Sequence, residues 1–78
     1  MPLVKNLERS HLPAGEVEGE AQCSYSVFSD AEGHKYLQLE TFPETGLASA
    51  EGTRQRVQLG EEAVRQLRTI ISNSFATL

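Results

Sequence analysis

The stretch that most constrains this chain is Thr53 to Phe75, TRQRVQLGEEAVRQLRTIISNSF. From Arg54 to Leu59 the residue type alternates, which puts Val57 and Leu59 on one side of a strand and Arg54, Arg56 and Gln58 on the other. Gly60 follows as hinge and N-cap, and Glu61 and Glu62 then stand where carboxylates suit the positive end of a helix. Ala63, Val64, Leu67, Ile70, Ile71 and Phe75 recur at spacings of three and four, the mark of one apolar helix face. Glu61 and Arg65 are spaced for an i,i+4 ion pair on the other face. A strand leading at once into an amphipathic helix requires a sheet for that helix to cover.

The sheet is written upstream. Glu16 to Phe28 alternates throughout, with Val17, Ala21, Cys23, Tyr25 and Val27 on one side, and Gly19 marks a bend. Ser29 to His34 is turn chemistry punctuated by Asp30 and Gly33. Lys35 to Phe42 alternates again, Leu37 and Leu39 inward, and makes an antiparallel hairpin with the preceding strand. Pro43 to Gly52 is a long loop rich in small residues. Residues 1–15 form an N-terminal arm, either a partly ordered terminus or a segment whose Leu3, Val4 and Leu7 cover an edge of the core or add a strand to a partner; 16–78 form one domain. The expected fold is α+β: an antiparallel three- to four-stranded meander with one C-terminal amphipathic helix packed on one face, in the order β-β-β-α. Its expected core is Val17, Ala21, Cys23, Tyr25, Val27, Leu37, Leu39, Val57, Leu59, Val64, Leu67, Ile70 and Ile71.

A chain of 78 residues with 38% hydrophobic content buries little on its own. At this size only about 60% of the extended surface is lost on folding, which predicts either a homodimer or a very economical core. The single cysteine excludes an internal disulfide and suits a reducing, cytoplasmic setting. No apolar run reaches the ~18 residues of a membrane span.

One helix covers one sheet face, so the other is left open. It carries Gln22, Ser24, Ser26, Phe28, Tyr36, Gln38, Glu40, Phe42, Arg54, Arg56 and Gln58. Rings stack on unpaired bases and guanidiniums hold phosphates, so Phe28, Tyr36, Phe42, Gln38, Arg54 and Arg56 form a candidate site for single-stranded nucleic acid. The same residue types suit a protein interface, or a solvated face with rings paired across strands. The net charge of −4 sets the candidate apart from generally basic nucleic-acid binders. Glu16, Glu18 and Glu20, on the same side of the first strand, favour the alternative of an acidic protein-binding regulator or inhibitor, phage or defence related.

The segments YLQLETF, GTRQRVQL and EEAVRQLRTII together resemble the transcriptional coactivator positive cofactor four and its small bacterial single-stranded-DNA-binding relatives. The resemblance spans about half the chain. It implies a four-stranded sheet with a C-terminal helix, dimerisation through the helices, and single-stranded DNA on the curved sheets. Arg54 and Arg56 match the basic residues that follow the family's glycine, here Gly52, and Phe42 matches an aromatic near the end of the preceding strand. The family's basic character is absent, and Glu44 and Glu51 occupy the loop.

Catalytic and metal chemistry find no motif. His11 and His34 are distant in sequence, Cys23 belongs to the inward face, and neither a nucleophile–base pair nor a phosphate-binding loop is present. A binding module without cofactor or metal is expected.

Overall fold

The computed structural model describes residues 2–13, 15–43 and 54–77. Its elements are β1 (Leu3–Val4), β2 (Ala21–Ser29), β3 (Lys35–Pro43), β4 (Gln55–Leu59) and α1 (Glu61–Ser74). The strands form one sheet in the order β1-β4-β3-β2, with β2, β3 and β4 antiparallel neighbours and β1 parallel to β4. This is the expected α+β fold with one C-terminal helix. It departs from a pure meander because residues 3–4 join the far edge in parallel. The Gln58 N–H donates to Pro2 O at 3.1 Å and the Gly60 N–H to Val4 O at 3.1 Å, which secures that added strand. The Leu7 N–H then donates to Gln66 Oε1 at 2.7 Å, tying the chain beyond β1 to the helix.

The β2–β3 turn follows from two residues. Asp30 O accepts the Gly33 N–H at 3.1 Å, and Gly33 sits at φ 87°, a left-handed conformation that glycine adopts without a Cβ clash. Asp30 Oδ1 accepts the N–H groups of Glu32 and His34, at 2.9 and 3.0 Å. The helix begins at Gly60, whose backbone is extended and which offers no side-chain cap; Glu61 and Glu62 fill the first turn. Arg65 pairs with Glu62 rather than with Glu61 as its spacing predicts. Glu61 instead accepts the Lys35 N–H at 3.4 Å, linking the helix start to β3.

Two expectations need correction. The first strand, expected over 16–28, begins at Ala21, and residues 15–20 carry no regular structure. A strand extends only as far as its partner, and Ala21 opposes Pro43, the last residue of β3. Glu16, Glu18 and Glu20 therefore lie outside the ladder. The core is also smaller than expected. Among the described residues the buried apolar side chains are Leu59, 6% exposed, and Ala63, fully buried. Leu37, Leu39, Val57, Val64 and Leu67 are half-buried. Val17, Ala21, Cys23, Tyr25, Val27, Ile70 and Ile71 are exposed, Tyr25 to 75% and Val27 to 62%. The cause is the position of the helix: α1 packs on β3 and β4, while all nine residues of β2 stand outside its cover. The loop expected over 43–52 lies, beyond Pro43, outside the described residues, as do Glu44, Glu51 and Gly52.

Candidate functional site

Strand register decides which side chains meet on the face away from the helix. Cross-strand partners share a face, so Phe28 stands beside Tyr36, Ser26 beside Gln38 and Gln58, and Ser24 beside Glu40 and Arg56. Gln22 stands beside Phe42, and Leu3 of β1 beside Gln58. Phe28, Tyr36, Gln38, Phe42, Arg54 and Arg56 thus occupy one surface, Arg54 from the residue just before β4.

The surface is banded. At the turn end the rings of Phe28 and Tyr36 lie with centroids 5.6 Å apart, inclined by 30°. In the middle the Gln58 Nε2 amide donates to Gln38 Oε1 at 3.0 Å. At the far end both arginines converge on one carboxylate: Arg56 Nη2 lies 3.0 Å and Arg54 Nη1 3.8 Å from Glu40 Oε2. Arg54 also sets its guanidinium 5.8 Å from the centre of the Phe42 ring, within cation–π range. Rings, amides and guanidiniums succeed one another along the strands. In this band two guanidiniums face one carboxylate.

Glu40 is the residue whose role the sequence reading missed. It stood on the expected open face, but its pairing with both arginines depends on the Glu40–Arg56 register, which no local pattern encodes. Its side chain is 19% exposed, held beneath the guanidiniums it orients. Such ion pairs at a surface contribute only about 0–1 kcal/mol, so an incoming anion can compete for the arginines.

The turn holds a second polar group. The Tyr36 hydroxyl donates to Asp30 Oδ2 at 2.8 Å. That bond holds the Asp30 carboxyl below its ordinary range; desolvation opposes the shift, and the backbone N–H donors and His34 assist it. The same bond raises the Tyr36 phenol, with desolvation and the charge of Asp30 adding to it. Asp30, Glu32 and His34 bring ligand-type atoms within 4.8 Å of one another, all exposed. Sequence spacing did not flag this trio because the turn, not a helix or a strand, assembles it. His34 Nδ1 is 3.5 Å from Asp30 Oδ2 and 3.6 Å from Glu32 Oε1. Asp30 is already engaged by two backbone donors and a phenol, which accounts for the cluster as turn structure.

Cys23, expected inward, is exposed, its thiol 3.6 Å from Ser24 O. Among the described residues no helix is long and apolar enough to cross a membrane. Comparison with family models, with curated proteins and with solved structures returned no match to this chain.

Proposed function

We propose that the protein is a small, non-enzymatic, cytoplasmic binding module that acts as a homodimer and engages single-stranded nucleic acid through its open sheet face. The observation that carries this reading is the banding of that face. Rings that can stack on bases, amides that can reach base edges and arginines that can hold phosphates lie side by side on one surface. Each stacked base contributes about 1–3 kcal/mol, so even two platforms supply useful affinity without a strongly basic protein. Phe28, Tyr36 and Phe42 are the stacking platforms, Gln38 meets base edges, and Arg54 and Arg56 take phosphates. The dimeric half of the reading is supported by the exposure of Tyr25, Val27, Ile70, Ile71 and Phe75 on a chain that buries so little.

Titration of fluorescently labelled single-stranded DNA and RNA at low salt tests the reading. Binding is expected in the micromolar range and should be lost in the Arg54→Glu, Arg56→Glu double variant with the circular dichroism unchanged. Affinity no tighter than millimolar for every strand tried refutes it.

A protein-binding regulator is the second reading, favoured by that same exposed apolar surface on the helix side. Stoichiometric capture of a protein in place of nucleic acid favours it.

A further inference from the structure

The outer edge of β2 is the feature the binding face does not use. In the order β1-β4-β3-β2 the second strand is terminal, and among the described residues nothing pairs with its outer side. Such an edge is ordinarily protected by charge, proline or a bulge. Here AQCSYSVFS contains no charged residue and no proline, and every residue from Ala21 to Ser29 pairs with β3 in an unbroken register.

The phase of the ladder tells which backbone groups are unpaired. The Asp30 N–H donates to His34 O at 2.9 Å, so Asp30 points toward β3. Antiparallel strands alternate, so Phe28, Ser26, Ser24 and Gln22 also bond toward β3, while Ser29, Val27, Tyr25, Cys23 and Ala21 direct N–H and C=O outward.

We infer that β2 pairs antiparallel with β2 of a second copy, about a two-fold axis at Tyr25, joining two sheets into one. The strand is self-complementary about that residue. Ser24 opposes Ser26 of the second copy, Cys23 opposes Val27, Gln22 opposes Phe28 and Ala21 opposes Ser29. Next to the axis a small polar pair and a small apolar pair meet, and no like charges face across the seam. This register has full overlap, and every outward backbone group finds a partner. It also sets Tyr25 of the two copies side by side, with Val27 of each beside Cys23 of the other, extending the apolar strip that α1 leaves uncovered. The two open faces become one continuous surface, long enough for a single strand to cross both. The inference rests on the dimeric half of the proposed function and specifies its contact.

Two variants test it. Tyr25→Pro removes an outward N–H and leaves the β2–β3 bonds in place, since proline is tolerated where an edge strand faces solvent. Sedimentation equilibrium should show the dimer dissociation constant raised about 10- to 100-fold, the symmetric loss of two hydrogen bonds, with strand content retained. Val27→Cys places a new thiol opposite the native Cys23 of the other copy. Paired residues there lie about 5.5 Å apart at Cα, inside disulfide range, so mild oxidation should give covalent dimer. In the parent chain the two Cys23 positions are offset by four residues along the strands, roughly 13 Å, and should not link. A chain that stays monomeric at the highest concentration reached overturns the inference. So does a dimer that survives Tyr25→Pro and fails to cross-link through Val27→Cys; that result leaves dimerisation standing and moves it to another surface. Nucleic-acid binding by a monomer leaves the open-face site standing without this seam.

Discussion

Replacing Glu40 by glutamine keeps the shape of the side chain and removes its charge, and the direction of the effect discriminates between readings of the open face. Glu40 Oε2 lies 3.0 Å from Arg56 and 3.8 Å from Arg54. A phosphate gripping those guanidiniums from the solvent side stands about 6 Å from the carboxylate. At an effective dielectric of about 40–80 that repulsion amounts to about 0.7–1.4 kcal/mol, which Glu40→Gln relieves. Affinity for a single strand should rise about three- to tenfold at low salt. The salt dependence should also steepen. Removing the one carboxylate beside the two guanidiniums should make the log–log slope more negative by about 0.7. Stability should fall by at most about 1 kcal/mol, since the lost pairs are surface pairs and Gln can still accept from Arg56. Fluorescence anisotropy of a labelled oligonucleotide across a salt series, with thermal melts as the control, reads each quantity. Unchanged or weaker binding in a folded Glu40→Gln protein refutes the role given to the arginines. A lost salt dependence does the same.

Two further outcomes follow from the β2–β3 turn. Gly33→Ala forces a Cβ into φ 87° and should cost about 1–2 kcal/mol, lowering the thermal midpoint by about 4–8 °C per kcal/mol; an unchanged midpoint contradicts the turn as described. In an ultraviolet titration Tyr36 should ionise above the ordinary tyrosine range, and Asp30→Asn should bring it down. The sign of the linkage is opposite for the two groups. The raised phenol contributes stability that is complete below the ordinary tyrosine value and fades as pH climbs through the raised one. The lowered Asp30 contributes stability that is complete above the ordinary carboxylate value and fades as pH drops through the lowered one. A Tyr36 that titrates alike in both proteins contradicts the 2.8 Å bond.

What the sequence disclosed was local and periodic. Alternation around Val57 and Leu59 and the three-four spacing from Ala63 to Ile71 located β4 and α1, and Asp30 with Gly33 located the turn. What it concealed depends on distant partners. The alternating run from Glu16 to Glu20 looks like strand, yet β3 offers it no neighbour beyond Pro43. Tyr25 and Val27 carry an inward pattern, but a 14-residue helix lying along β3 and β4 does not reach them. Leu3 and Val4 are too few to show a period, so their parallel pairing had no signature. The six residues of the candidate site were brought to one face because period-two alternation alone assigns faces. Their partners, Glu40 for the arginines and Asp30 for Tyr36, were set by register and turn geometry.

The parallel attachment of β1 inverts the usual relation between synthesis and assembly. Residues 3–4 are made well before the strand they border, at Gln58–Leu59, and Leu7 precedes by 59 positions the glutamine that clasps it, at position 66. Closing contacts over such separations is slow compared with forming the hairpin. The β2–β3 ribbon, whose contacts are local, therefore closes first, and residues 3–4 wait longest for their place.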